Sequence, residues 1–297
     1  MQIAPYVSDR KKMKKRIRAY LFGAMGLIAL YAIFFVVQWF ILRSPLFRVD
    51  HVVVQGNSAV ASSDVIALAE VSAFPSKDFF RAALTFNNML LWPDSIPQKE
   101  LQLIPQLATA SVSKDFFAHT ITITVTERSP FGIWCFSAPP SSIFAPAQAA
   151  TASTSTTSAT SSVVVANSNA PCYWFDKTGT IFQRADNTQG NLVFAVYDSA
   201  QTPRGLNQKV LSDEFLPNFI SVMNVLHGSA LGVRAIELND LALREVDVLT
   251  ANGPAIYFSL QFPADEYLPV IQKMMLQPNF ATLQYIDCRT QNRLFYK

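Results

Sequence analysis

The sequence predicts an α+β protein with one N-terminal membrane helix followed by two folded domains. Three observations lead to this prediction: a long uncharged apolar run, a strictly alternating strand pattern at residues 119–127, and a second half rich in short strand patterns. The chain has 297 residues, half of them hydrophobic, which is enough to build two cores. A mean hydropathy of +0.21, with three cysteines, excludes a disordered chain and a disulfide scaffold.

Residues 19–42 contain no charged side chain and predict a transmembrane helix. A bilayer core of about 30 Å takes about 20 helical residues. Tyr20 and Trp39 lie near the two ends of the run, where amphipathic rings favour the membrane interfaces. A secretory signal peptide is the alternative, but the run ends in Trp-Phe-Ile-Leu-Arg instead of at a small-residue cleavage site. We therefore expect an uncleaved anchor in the inner, cytoplasmic membrane.

Residues 1–18 form a basic tail that sets the expected orientation. The tail holds seven of the 24 Lys and Arg residues and only one of the 21 Asp and Glu residues. Positive charge stays on the cytoplasmic side of a membrane, so everything from about residue 43 onward is expected to be periplasmic or extracellular. The remaining chain is mildly acidic, which argues against a nucleic-acid binder. The sequence predicts a single-pass protein with a cytoplasmic N-terminus.

Residues 45–130 predict a first exported domain with the element order β-α-α-β-β. The clearest element is the strand at residues 119–127, in which Ile121, Ile123 and Val125 share one face and four threonines the other. The predicted elements are a strand within residues 47–57 closed by Gly56-Asn57, a helix from Ser62 or Ser63, a helix over residues 77–91, a helical segment from about Ser95 with Leu101, Ile104 and Leu107, a strand over residues 110–116, and the alternating strand.

Residues 131–297 predict a β-rich α+β domain with an antiparallel sheet. We expect Gly228 to end its first helix and Pro269 to start or kink its second. The predicted strands cover residues 131–136, 172–175, 180–184, 233–238, 243–249 and 255–262, the helices residues 215–226 and 265–276, and two final strands flank a Thr-Gln-Asn turn within residues 283–297.

Residues 137–171 interrupt this second domain. They are rich in Ala, Ser, Thr and Pro and carry no charge, so too little apolar surface can be buried to offset chain entropy, and we expect a disordered insertion. Cys135 and Cys172 flank the insertion. Outside the membrane they form either a disulfide that closes it or two buried free thiols. A disulfide would leave Cys288 unpaired.

The order of these motifs resembles a known family. A post-membrane strand ending in Val-x-Gly-Asn, then helices, a strand and the run ITITVTERSP resemble a POTRA domain. With one N-terminal span, the chain is similar to the bacterial cell-division proteins of the FtsQ/DivIB family. That family often ends its POTRA domain in Glu-Arg-x-Pro, matched by Glu127, Arg128 and Pro130, and carries a C-terminal Ile-Asp-x-Arg-like hairpin, matched by Ile286, Asp287 and Arg289.

The resemblance implies a non-enzymatic divisome scaffold at the division septum. The POTRA-like domain would help recruit the protein, and the C-terminal domain would bind a coiled-coil subcomplex of FtsB and FtsL type. An edge strand offers unpaired N–H and C=O groups, so we expect a partner to add to the last strand by β-augmentation. By motif match the partner surface would comprise Arg289, Thr290, Arg293, Leu294, Phe295 and Tyr296.

Two alternatives remain at this stage. The aromatic and aliphatic side chains of the last strand could simply cover the core. A POTRA-bearing accessory factor for protein export or envelope assembly is the alternative function, although such proteins usually add a β-barrel or tandem POTRA repeats.

The run from Asp176 to Thr180, Asp-Lys-Thr-Gly-Thr, matches the aspartyl-phosphate motif of P-type ATPases. That chemistry needs a nucleotide domain, a magnesium site, several membrane spans and a cytoplasmic location. Because position 176 is expected outside the cell membrane of a single-pass protein, we interpret the run as a hairpin turn.

Catalytic and ligand-binding patterns are scarce in the rest of the chain. His51, His119 and His227 have no metal-ligand spacing, and neither a nucleophile elbow nor a phosphate-binding glycine loop occurs. We expect no enzyme activity, cofactor, metal ion, nucleic acid or small-molecule substrate.

Overall fold

The computed structural model describes residues 7–73, 88–139, 171–185, 193–199 and 201–297. Its contacts divide the chain into two compact units. The first unit comprises residues 1–103 and 107–127, and the second comprises residues 104–106 and 128–297. Helices and strands occur in both units, and the larger sheet is mostly antiparallel. The predicted α+β class is therefore confirmed.

The N-terminal helix α1 spans Val7–Arg43. Its apolar part, Arg16–Ile41, has a mean hydropathy of 2.3 over its most apolar 18-residue window, and none of that window is buried against protein. At 1.5 Å per residue these 26 residues reach about 39 Å, more than the core of a bilayer. The helix is thus long and apolar enough for a membrane span, and a signal sequence has the same properties.

The first unit continues as a three-stranded sheet with helices. Strand β3 lies in the centre, parallel to β1 and antiparallel to β2. The buried side chains of β3 are Ile121, Ile123 and Val125, the face that the alternation predicts. The elements are β1 His51–Gln55, α2 Ser62–Ala73, α3 Gln98–Leu101, β2 Leu107–Asp115 and β3 Thr120–Glu127.

Two helix predictions in the first unit need comment. Residues 74–87, most of the helix predicted at 77–91, lie outside the described residues, and the described end of that range is a short 3-10 turn, Met89–Leu91. The helix predicted from Ser95 to Leu107 is wrong in length. It ends after four residues because Pro105 lacks an N–H and disfavours helical geometry at Ile104, and Leu107 already belongs to β2.

The second unit holds a nine-stranded sheet. Its strand order is β12-β11-β10-β9-β8-β7-β4-β5-β6. Among the described residues the pairs β10–β11, β7–β8 and β4–β7 are parallel and the other neighbours are antiparallel. The elements are β4 Gly132–Cys135, β5 Cys172–Phe175, β6 Ile181–Ala185, β7 Ala195–Asp198, α4 Leu216–Ser229, β8 Val233–Leu238, β9 Glu245–Thr250, β10 Ala255–Ser259, α5 Leu268–Met275, β11 Tyr285–Thr290 and β12 Arg293–Tyr296.

The core of the second unit lies between this sheet and helices α4 and α5. Its largest fully buried side chains include Trp134, Phe175, Phe219 and Phe258. Edge-on ring contacts join Trp134 to Phe175 at 5.8 Å and to Phe219 at 5.4 Å between ring centroids. Such pairs add about 0.5–1.5 kcal/mol each beyond area burial, so they help to fix α4 against the sheet.

In the second unit one local prediction is wrong and one strand was not predicted. Gly228 does not end α4; the helix continues to Ser229 and ends at Ala230 in left-handed geometry, φ 56°. Gly228 instead lies against Leu268, where an added Cβ would approach the leucine side chain to 3.1 Å. The sequence also misses the four-residue strand β7, whose short run has no clear alternation, although it lies between β4 and β8.

Candidate functional site

The C-terminal hairpin brings all six predicted partner-binding residues together. Arg289 and Thr290 end β11, and the other four form the whole of β12. Between the strands Asn292 has φ 59°, a left-handed geometry that asparagine tolerates in turns. The hairpin is anchored at its turn by the Tyr267 hydroxyl, which donates to the Thr290 carbonyl at 2.7 Å.

Strand β12 is the last strand of the nine-stranded sheet, and in the described part of the chain no strand pairs with its outer side. The Lys297 N–H donates to the Tyr285 carbonyl at 3.2 Å, so Lys297 faces β11. Hydrogen-bonding direction alternates along an antiparallel strand. The N–H and C=O groups of Tyr296 and Leu294 therefore point away from the sheet, toward the open edge.

The opposite edge of the same sheet is covered where β6 begins. A loop lies along β6: the Ile181 N–H donates to the Gln208 carbonyl at 2.9 Å, and the Asn207 N–H donates to the Ile181 carbonyl at 2.7 Å. Unpaired edges invite pairing with another chain, and natural proteins usually block them. Such a loop therefore blocks the start of the β6 edge, whereas none of the described residues pairs along the outer side of β12.

The side chains of β12 divide between the two faces of the sheet. Leu294 is half-buried and packs against the main core. This residue therefore covers the core, which was the alternative to partner binding. Phe295 and Tyr296 are 51% and 61% exposed and remain accessible to a partner. Arg293 and Thr290 are exposed as well. The open edge is thus flanked by two accessible aromatic rings.

Arg289 differs from the other predicted contact residues because its guanidinium, although exposed, is paired with two carboxylates of the same sheet. It donates to both Asp287 oxygens, at 2.9 and 2.7 Å, and lies 3.0 Å from Glu245. Its guanidinium also lies over the Tyr257 ring, 5.1 Å from the centroid. The hydrogen bonds from Arg289 lower the pKa of Asp287, and Asp287 in turn raises the pKa of Arg289. Arg289 therefore orients β11 against β9 and β10.

Sequence reasoning missed a row of side chains across the outer face of the sheet. Cross-strand pairing aligns Glu237 with Asp247, then Tyr257, Asp287 and Phe295. Burial raises the pKa of both Glu237 and Asp247. The charge of Asp247 further raises the pKa of Glu237, and the charge of Glu245 further raises the pKa of Asp247. Alternation within each strand could have placed these residues on the outer face, but only the register shows that they are neighbours.

The Asp176–Thr180 run is a structural turn of the second unit. One Asp176 oxygen accepts hydrogen bonds from the N–H groups of Thr178 and Thr180, at 2.8 and 3.0 Å, and the other lies 2.5 Å from the Arg128 guanidinium. Gly179 has φ +72°, and a Cβ there would lie 2.7 Å from Leu216. The Asp176 carboxylate is therefore buried, and both of its oxygens interact with groups of the same protein.

The histidines lie apart from one another. His51 is in β1, His227 is in α4 with Nδ1 2.7 Å from the Met223 carbonyl, and His119 is in the turn before β3 with φ 51°, not in the strand as predicted. Among the described residues no group of three His, Cys, Asp or Glu side chains could hold a metal ion.

The cysteines separate into a pair and a buried thiol. Cys135 and Cys172 face each other on β4 and β5 and are joined by a disulfide. Cys288 is free and buried, and burial, followed by the Asp287 charge, raises the pKa of its thiol to about 12. Residues 140–170, nearly all of the predicted insertion, lie outside the described residues.

The site thus offers backbone hydrogen bonds along one open strand and two aromatic side chains beside it. Such an arrangement suits binding of an extended peptide. Comparisons with protein-family models and with curated proteins find no match to this chain.

Proposed function

We propose that this protein is a membrane-anchored scaffold of the bacterial division machinery that binds an extended segment of its partner at the β12 edge. The partner class is the one implied by the FtsQ/DivIB resemblance, a small single-pass coiled-coil protein of FtsB or FtsL type. The observation that carries the proposal is the open edge of β12, with outward N–H and C=O groups at Leu294 and Tyr296.

The first unit supports the POTRA part of the resemblance. Its strands follow the order β1-β3-β2, with a parallel β1–β3 pair and helix α2 after β1. Gly56 of the Val-x-Gly-Asn motif and Glu127 of the Glu-Arg-x-Pro motif also have structural roles. Gly56 has φ +86°, and a Cβ there would lie 2.2 Å from the Val125 carbonyl oxygen, so only glycine fits.

The proposed location follows from the N-terminal helix and the basic residues before it. An uncleaved α1 would hold the protein in the cytoplasmic membrane, with residues 1–18 inside and the chain from about residue 43 onward outside. The partner's membrane anchor would lie in the same bilayer. Confinement to one membrane raises the effective concentration of the two proteins, so a short added strand with modest intrinsic affinity is sufficient.

Strand addition would use the backbone for affinity and the flanking side chains for specificity. An antiparallel or parallel partner strand can bond to both N–H groups and both carbonyls of Leu294 and Tyr296. Phe295 and Tyr296 supply the large exposed rings that dominate many interfaces, and exposed Arg293 can pair with a partner carboxylate. Arg289 would act by holding β11 in place, because its guanidinium is already paired.

A proline at position 296 tests the backbone contact directly. Tyr296→Pro removes an N–H that points to the open edge, and Tyr296→Ala removes the same ring while keeping the N–H. Loss of one such donor leaves a partner carbonyl unpaired, at about 1–3 kcal/mol. We therefore expect partner binding to fall about tenfold or more between the alanine and proline variants.

Affinity purification of the full-length chain from dividing cells, followed by titration with the captured partner, provides the measurement. Phe295→Ala combined with Tyr296→Ala should reduce recovery of the coiled-coil partner through loss of the rings. Equal recovery with the Tyr296→Ala and Tyr296→Pro variants, each folded by circular dichroism, would reject strand addition. Recovery of export or envelope-assembly components in place of coiled-coil division proteins would reject the division role and favour the accessory factor.

A further inference from the structure

Within the first unit, the segment that leads into the three-stranded sheet starts directly at the end of the apolar helix. The Asn88 side chain donates to the Ile41 carbonyl at 3.3 Å, and Ile41 is the last residue of the apolar run. Arg48 forms an isolated bridge with Asn88. The chain from Arg43 to Phe47 can extend at most about 14 Å, and the 3-10 turn Pro45–Phe47 shortens it. These contacts hold the segment after α1 close to the level at which the helix leaves the membrane.

The turn between β2 and β3 is held against this same segment. The His119 Nδ1 atom lies 3.1 Å from the Arg48 carbonyl, and the Asp50 N–H donates to the His119 carbonyl at 2.9 Å. The rings of Phe47 and Phe116 meet edge-on, with 6.0 Å between their centroids. The turn at residues 116–119 is therefore tied to the chain just outside the predicted span.

The turn presents apolar side chains to the surroundings. Phe117 is 100% exposed and Leu46 is 68% exposed, and Phe116 and Leu90 are exposed to a smaller extent. The conformation is an ordered one, since an Asp115 carboxylate oxygen accepts hydrogen bonds from the N–H groups of Phe117 and Ala118, at 3.0 and 2.9 Å. A phenylalanine side chain that is fully exposed in its own protein is expected to be covered by another molecule or surface.

We propose that the lipid surface covers Phe117. The β2–β3 turn enters the interfacial layer of the bilayer through this side chain, beside Leu46 and Phe116. This inference rests on the proposed membrane topology but not on the division partner. The headgroup layer is about 5–8 Å thick on each side of the core, and side chains tied to residues 41–48 lie within reach of it. Phenylalanine and leucine are the residues with which surface segments bind at the acyl boundary.

The charges beside the turn indicate which kind of lipid surface it needs. Arg48 lies 3.5 Å from Asp50, and Lys114 lies 2.9 Å from Asp94, so the basic groups are paired within the first unit. Among the described side chains beside the turn, no unpaired Lys or Arg is left to favour anionic headgroups. The contact is therefore apolar in nature, and it should form on a zwitterionic phosphatidylcholine bilayer.

Spin labels on the full-length chain in phosphatidylcholine nanodiscs test the contact. Ala118→Cys places a nitroxide beside Phe117 and keeps the ring, and Ala61→Cys is the matched exposed position near the other end of β3. Cys288 is buried and the other cysteines are paired, so identically treated unsubstituted chain corrects for background labelling. The readout is the ratio of collision rates with oxygen, which is enriched in lipid, and with a water-soluble nickel complex.

We expect this ratio to be several-fold higher for the label at residue 118 than at residue 61, and to fall to the residue 61 value when Phe117→Ser is added. Equal ratios at 118 and 61 would overturn the lipid contact and indicate that Phe117 faces water or a protein partner. A third label, Leu30→Cys in α1, distinguishes the two failures. If the residue 30 label is also nickel-accessible, the membrane topology itself is wrong.

Discussion

Arg128 and Asp176 form a buried ion pair in the second unit. The guanidinium lies 2.5 Å from the carboxylate, and both side chains are about nine-tenths buried. Arg128 also donates to the Pro105 carbonyl at 3.1 Å, which connects residues 104–106 to the rest of the unit. Burial of both charges is tolerated because both Asp176 oxygens and two of the three guanidinium nitrogens have hydrogen-bond partners. The Arg of the Glu-Arg-x-Pro motif thus has a structural role.

Arg128→Ala is expected to destabilise the second unit strongly, because it leaves the Asp176 carboxylate buried without its counter-charge. The expected loss is about 3–5 kcal/mol in the free energy of unfolding. Lys209→Ala is the matched control, since its ion pair with Asp213 is exposed and should contribute less than about 1 kcal/mol. Urea unfolding followed by circular dichroism provides both values. Similar losses for the two variants would contradict the structural role of Arg128.

At the scale of elements, the end of β3 is tied to the loop that begins α2. The Glu127 carboxylate accepts the N–H groups of Ser58, Ala59 and Val60, at 2.8, 3.0 and 2.9 Å, and the Ser58 hydroxyl at 2.8 Å. Burial acts to raise the pKa of Glu127, but these hydrogen bonds outweigh it and lower the pKa to about 2, from 4.5. The ionised carboxylate is therefore part of the fold of the first unit.

This lowered pKa predicts a defined pH dependence. Since the folded pKa is below the unfolded one, the stabilisation is present above pH 4.5 and is lost as pH falls toward about 2. We expect Glu127→Gln to lower the stability of the first unit at neutral pH by about 1 kcal/mol, after allowance for solvent screening. Melting temperatures of the unsubstituted and Glu127→Gln chains should converge below pH 4.5.

Asp50→Asn provides the control for this titration. Asp50 has an exposed carboxylate in the same unit, 3.5 Å from exposed Arg48. Its substitution should change the melting temperature little at any pH. A constant difference between the Glu127→Gln and unsubstituted chains from pH 7 down to pH 2 would show that the carboxylate charge is not the cause.

At the scale of the whole molecule, the disulfide joins two strands of the second unit that are distant in sequence. Cys135 and Cys172 are 37 residues apart in sequence but adjacent in the sheet. A cross-link across such a separation restricts the unfolded chain and stabilises the folded one, typically by about 2–4 kcal/mol. The bond is compatible with the proposed exported location, since disulfides persist in oxidising compartments.

Reduction should therefore destabilise the protein. We expect dithiothreitol to lower the unfolding free energy of the second unit by about 2–4 kcal/mol. A Cys135→Ala, Cys172→Ala double variant should show no response to the reductant, which separates the cross-link from the packing of the two side chains. Mass spectrometry of alkylated, denatured chain should count one free thiol, Cys288. A count of three on exported protein would contradict the disulfide.

Local patterns predicted much of the fold because the spacing of apolar residues along the chain reflects which side chains are buried. The alternation of residues 119–127 placed β3 and its buried face, and β8 has the same bounds as its predicted strand. The errors occur where a local signal is outweighed by tertiary packing. Gly228 has the residue type of a helix end, but α4 continues because its last turn packs against Leu268, and β7 forms because two neighbouring strands pair with it.

For the candidate site, the sequence predicted which residues belong to the last hairpin but not how they are used. Arg289 and Phe295 look equally suited to partner contact in the sequence, yet Arg289 is held by Asp287 and Glu245 while Phe295 is exposed. The Glu245 contact depends on the order of β9, β10 and β11 in the sheet. Such strand order has no local signal, because it is set by pairing between distant segments.

The sequence by itself determined the apolar helix, the α+β class and the residues of the C-terminal hairpin, because these depend on composition and on periodicity along the chain. Only the tertiary structure decided that β12 lies at an edge of the large sheet, that a loop covers the start of the β6 edge, and that Phe117 lies near the end of the apolar helix. The physical reason is that an open edge or an exposed ring is defined by what the rest of the chain leaves unpaired, and that becomes fixed only when distant segments pack.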